Sequence, residues 1–127
     1  MSDVPNDPRE CIAVFAVTDL EASLGYFENQ LGFGVAFRFG EPTYYVEVCR
    51  GAVTIHLTDA DDRKASIGRA TISLMVDDVN ATHRELVTRG ANITVEIDDR
   101  PYGLRDFMVE DPDGNHIAFG GPLGGEA

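Results

Sequence analysis

A repeat is the feature that most constrains what this chain can fold into. Val17-Thr18-Asp19-Leu20-Glu21-Ala22 set over Val76-Asp77-Asp78-Val79-Asn80-Ala81 matches valine, aspartate, an aliphatic residue and alanine at a constant offset of 59. In both places the stretch follows a strand-like run and opens a helix-like one, so the order of elements repeats with the residues. The chain reads as one β-α-β-β-β unit used twice.

In the first unit, residues 12–17 form the expected opening strand. Thr18 is the expected helix N-cap with Glu21 as its capping-box partner, and Leu20, Leu24, Phe27 and Leu31 follow at helical spacing up to Gly32. Strands are expected over 35–39, 44–49 and 52–58, the last two joined at Arg50-Gly51. The second unit has a strand over 71–76, a cap at Asp78, a stripe of Val79, His83, Leu86 and Val87, a stop at Gly90 and a strand over 93–97. It closes on a hairpin. There Tyr102-Gly103 marks the entry, 107–109 and 117–119 are strand-like, and Asp111-Pro112-Asp113-Gly114 supplies an Asx start, a fixed φ and a glycine able to take positive φ. Residues 59–69, DADDRKASIGR, are polar and aperiodic and read as a linker; residues 1–10 read as an N-terminal arm. The expected organisation is that arm, then one domain over 11–127 with its repeats at 11–58 and 70–121.

Charge limits the partners. With 22 acidic against 10 basic residues the formal charge is −12, which opposes nucleic acid and anionic membranes and either serves solubility alone, the favoured reading on charge by itself, or raises the local concentration of a cationic small molecule. No apolar run approaches the roughly 20 residues that span a bilayer. The opening MSDVPNDPRE has neither the basic nor the apolar part of a signal peptide, so a cytoplasmic location is expected. Cys11 and Cys49 are too few for a disulfide framework and are expected as buried, reduced thiols.

Strand alternation then separates two faces. Val53, Ile55 and Leu57 alternate with Thr54, His56 and Thr58, and Ile72, Leu74 and Val76 alternate with Thr71, Ser73 and Met75. The apolar set belongs under the helix. A hairpin turning at Arg50-Gly51 sets Tyr45 opposite His56 and Glu47 opposite Thr54 on the other face, where a curved sheet would make them the wall of a pocket.

The doubled unit, the run TDLEASLGYFENQLGF and the run PYGLRDFMVEDPDGNHIAF together resemble the vicinal oxygen chelate superfamily, the glyoxalase, bleomycin-resistance and dioxygenase group. The resemblance covers residues 11–119 and is nearest to bleomycin-resistance proteins in size and in Pro101-Tyr102-Gly103. It implies an α+β fold in which two βαβββ modules form a curved mixed sheet around a cleft, usually completed in a homodimer. Metal-dependent members take ligands at positions that here hold Ile12, His56, Thr71 and Ala118. One imidazole does not hold an ion that wants about three protein ligands, so no metal, other cofactor or catalytic residue is expected.

The ligand-binding candidates are Phe37, Phe39, Tyr45, Glu47, His56, Tyr102, Arg105 and Phe107. Phe37 and Phe39 with Tyr102 would clamp a planar ligand, against core packing as their plain alternative, and Glu47 would meet its positive charge. His56 either meets the ligand or is satisfied by Tyr45 or Glu47; Arg105 either meets it or forms a structural ion pair. His83 is expected to pack and His116 to lie exposed. The function implied is metal-independent sequestration of an aromatic, cationic small molecule, as in antibiotic resistance. The alternatives are a metal-dependent lyase, isomerase or ring-cleaving dioxygenase, or a partner-binding module whose cleft its own side chains fill. Bleomycin-resistance relatives often carry tryptophan where Tyr102 stands, and this chain has none.

Overall fold

The computed structural model describes residues 10–60 and 68–123. Nearly all of the expected arm, and residues 61–67 of the expected linker, lie outside the described residues. Strand β1 (Ala13–Val17) leads into helix α1 (Leu20–Gly25), which runs on as a π-helical turn over Tyr26–Gln30. Strands β2 (Gly34–Phe39), β3 (Tyr45–Arg50) and β4 (Val53–Asp59) complete the first module. The second has β5 (Thr71–Met75), α2 (Val79–Thr88), β6 (Ile93–Asp99), β7 (Leu104–Glu110) and β8 (His116–Pro122). Each module makes a four-stranded sheet, ordered β1-β4-β3-β2 and β5-β8-β7-β6, with only the first pair in each parallel.

The repeat holds in detail, with one difference at the caps. Asp78 caps α2 by accepting the Ala81 N–H at 3.0 Å, but α1 is capped by Asp19, which accepts the Ala22 N–H at 3.1 Å. Thr18 is therefore not the cap. Its N–H and hydroxyl instead donate to Asp113 Oδ1 at 3.2 and 2.7 Å, so the turn of the last hairpin holds the start of the first helix. Gly32, at φ +77°, takes the chain out of the π turn.

The sheets share one core. Leu20, Leu24, Phe27 and Leu31 from the first helix join Val46, Val48, Ile55 and Leu57 of one sheet and Phe107, Val109, Ile117 and Phe119 of the other, all buried. Phe27 contacts Phe33 edge-on with centroids 5.5 Å apart. Because the helix-covered faces of both sheets meet in this core, the other face of each looks outward. Polar ties cross the same seam. The buried Tyr26 hydroxyl donates to the Glu110 carbonyl at 2.7 Å and Arg50 to Glu85 at 2.5 Å, while within its own module Arg50 also donates to Leu31 O at 2.7 Å.

Arg50 lowers the Glu85 carboxyl most, and together with Arg89 it outweighs the opposing effect of burial. A carboxyl lowered in the fold contributes stability that is present above its unfolded value of about 4.3 and is lost as pH falls through the folded one. Glu85→Gln is expected to cost about 1 kcal/mol or less at neutral pH, since the pair is partly exposed. It should flatten the acid limb of a stability against pH curve, measured by urea denaturation; an unchanged acid limb would remove Glu85 from the linkage.

Candidate ligand-binding site

The β3–β4 register decides which side chains touch. Arg50 pairs with Val53 and Glu47 with His56, so Tyr45 stands opposite Thr58 rather than opposite His56. The expected register is off by two residues. Its cause is the turn, a two-residue loop of Gly51 at φ +58° and Ala52, which centres the reversal one residue later than Arg50-Gly51. A shift of two leaves every side chain on its own face.

On the outer face of the first sheet, β2 brings Phe37 opposite Glu47 and Phe39 opposite Tyr45, and β1 brings Val14 opposite His56. Phe37 and Phe39 stack at 6.1 Å and 26° and are about half exposed, at 52% and 51%. Tyr44 adds an edge contact to Phe39. Beside this aromatic shelf runs a polar chain, from the Tyr45 hydroxyl to His56 Nδ1 at 2.9 Å and from His56 Nε2 to Glu47 Oε1 at 3.1 Å. Thr58 next to it is buried, and its hydroxyl has no hydrogen-bond partner among the described residues. Five of the eight candidates, Phe37, Phe39, Tyr45, Glu47 and His56, thus share one surface.

At the places that match His56 and Thr58 the second sheet is barer. By register, Ala118 stands where the first sheet has His56 and Gly120 where it has Thr58. Met75 lies over Gly120, with its Cε 2.9 Å from where a Cβ would be. Tyr102, 66% exposed, sits in the β6–β7 turn and donates its hydroxyl to Asp106, which also accepts from Arg100 Nε at 2.7 Å. Burial alone would raise the Asp106 carboxyl, but the bonds from Tyr102 and Arg100 hold it below its ordinary value, and the same bond raises the Tyr102 phenol. Sequence reasoning passed over Arg100; the signal was its place six residues before an outward-facing aspartate across a tight turn.

Arg105 and Phe107 fall on the other side. Strand alternation turns both toward α2, where Arg105 donates to Asn80 at 3.0 Å and to Asp99 at 2.8 Å, and Phe107 is fully buried against Phe119. Neither reaches the outer face. His83 packs edge-on against Phe107, while His116 is half-buried rather than exposed, with Glu110 3.7 Å away. Cys49 is half-buried, whereas Cys11 is exposed; both are free thiols. Tyr102 and the Phe37–Phe39 pair stand on different sheets of the protomer.

The superfamily's metal does not fit these residues. His56 has Val14 beside it on β1, the corresponding place on β8 holds Ala118 with Ser73 beside it, and among the described residues no group of three or more His, Cys, Asp or Glu is placed to hold an ion.

The profile of the Glyoxalase/Bleomycin resistance protein/Dioxygenase superfamily matches residues 12–119. The chain belongs to this superfamily. No curated protein matches its sequence. Among solved structures of the fold, TnmS3, an antibiotic binding protein from Streptomyces sp. CB03234, superimposes with a TM-score of 0.77 at 24% identity over 92% of this chain and 98% of its own. TioX from Micromonospora sp. ML1 gives 0.77 at 19% identity, over 91% and 100%. A lactoylglutathione lyase from Agrobacterium tumefaciens gives 0.75 at 15% identity, over 91% and 95%. At these identities the superpositions speak for the fold, which in this superfamily carries both binding proteins and enzymes.

Proposed function

We propose that this protein captures a flat aromatic cation without metal chemistry, in a cleft that two copies complete. The observation that carries the reading is the shelf of Phe37 and Phe39 lying beside Glu47 on one outward face, which offers a ring plane and a negative charge to one ligand. The absence of a fitting ligand set for an ion among the described residues and the charge of −12 support it, and the antibiotic-binding neighbour on the same fold agrees with it. An antibiotic-resistance role and a cytoplasmic location belong to the same proposal; no helix among the described residues is long and apolar enough to cross a membrane.

The second copy is argued from what each protomer leaves open. Val14, Phe37, Phe39, Met75 and Tyr102 are all exposed large side chains of the outer faces or their rims, and β1 and β5 are sheet edges. The first sheet of one copy, opposed by the second sheet of another, would bring Tyr102 over the Phe37–Phe39 shelf.

Native mass spectrometry tests both halves of the proposal. A dimer without a divalent ion, binding a planar aromatic cation, is expected; one ion per chain would turn the reading toward the superfamily's lyases and dioxygenases. Tyr102→Ala is expected to weaken binding of such a cation on the order of tenfold while the melting temperature holds, since its ring is largely exposed. Unchanged affinity would take Tyr102 out of the site.

A further inference from the structure

We infer that the Tyr45–His56–Glu47 chain is a proton-operated release device: the site holds a cation while His56 is neutral and gives it up when His56 takes a proton. The inference rests on the capture reading and adds to it how the ligand is let go. Glu47 as a carboxylate can only accept, so at 3.1 Å it requires the hydrogen on His56 Nε2. While the imidazole is neutral, Nδ1 is the acceptor, and at 2.9 Å it receives the Tyr45 hydroxyl. In this state the imidazole is neutral and the negative charge of Glu47 stands uncancelled. Its other oxygen lies 3.7 Å from the Cys49 thiol, a weak donor.

A further proton has one place to go, Nδ1. Once there, it sets an imidazolium 3.1 Å from Glu47 and cancels the charge that attracts the ligand; it also forces the Tyr45 hydroxyl to turn from donating to accepting. Protein cation and ligand cation therefore compete for one carboxylate. Among the described residues, the outer face of the first sheet carries no other charged side chain beside Glu47. Around His56, β3 contributes the Tyr45 phenol, Glu47 and the Cys49 thiol, β4 contributes Thr54 and Thr58, β1 contributes Val14 and Ala16, and β2 beyond them contributes Phe37 and Phe39. On the second sheet the outward charged and titratable groups among the described residues are Asp98 opposite Asp106, Arg100 and Tyr102 bound to Asp106, and Glu110 paired with His116. The side chains of His56 and Glu47 are 20% and 34% exposed, enough for a ligand to reach the carboxylate and for water to supply the proton. Imidazole is the side chain that ordinarily changes charge between about pH 5 and 8.

The test uses the whole protein with ethidium, a planar aromatic cation, and phenanthridinone, a neutral molecule of similar outline, at pH 7.5 and 5.5. Ethidium affinity is expected to fall on the order of tenfold between the two, with the neutral probe within twofold. His56→Gln should abolish the fall, and Glu47→Gln should bind ethidium weakly at both values. Nitrogen-detected NMR of the ligand-free protein at pH 7.5 should find His56 protonated on Nε2. Ethidium bound equally at both pH values, a fall that survives His56→Gln, or an Nδ1–H tautomer each overturns the device and leaves capture standing. Binding of neither probe takes down the capture reading and the device together.

Discussion

Phe107→Ala is expected to lower the stability of the folded protein by about 3–5 kcal/mol, the largest single-residue effect we anticipate. The ring is 0% exposed, stacked at 5.4 Å and 16° on Phe119 and edge-on to His83 at 4.9 Å. Cutting it back leaves a void where the second sheet meets the core common to both modules, and close-packed neighbours fill such voids only in part. Chemical denaturation measures the cost. The same variant decides where the residue acts: because Phe107 faces α2, the fraction that remains folded should bind a planar cation as the parent does. A binding loss larger than the loss of folded protein would return Phe107 to the ligand site.

The second large effect is at the turn. Asp111→Ala is expected to cost about 3 kcal/mol, because three donors lose a charged acceptor at a buried place. Asp111 Oδ1 accepts the N–H groups of Asp113 at 2.9 Å and Asn115 at 2.8 Å, and Oδ2 accepts Asn115 Nδ2 at 2.9 Å. Burial pushes its carboxyl up, and these bonds offset only part of that. Asn115 in turn accepts the Ala70 N–H at 3.0 Å, so the turn also fixes the entry to β5. Asp111→Asn keeps the Oδ1 acceptor and should recover about half of the loss in the same denaturation assay. If the Ala variant costs less than about 1 kcal/mol, the turn is held by its backbone and by Gly114 at φ +89° alone.

How legible was this in the sequence? The faces were, because a period of two survives any even error: the β3–β4 register moved by two residues and still left Tyr45, Glu47 and His56 together. The second module's cap was legible at Asp78, and the first was misplaced by one residue because Thr18 and Asp19 are both good caps. What Thr18 does depends on Asp113, 95 residues away, and no local pattern reports a contact at that distance. Arg105 and Phe107 flank Asp106, and strand alternation turns both to the helix side, away from the outer face. Arg100 needed the turn geometry before it had a role.

The two repeats have not divided their work evenly. Where the first presents an imidazole and a threonine hydroxyl, the second presents a methyl group and a hydrogen at Ala118 and Gly120, with only the flexible Met75 resting above. Under the capture reading, the first wall selects for charge at His56 and Glu47, and the second yields to bulk over Ala118 and Gly120. Under the capture reading, drug analogues that differ in size on the side facing Met75 should be carried equally well, while removing the positive group from the opposite side defeats recognition. Breadth and selectivity would then reside in different halves of a single duplicated chain.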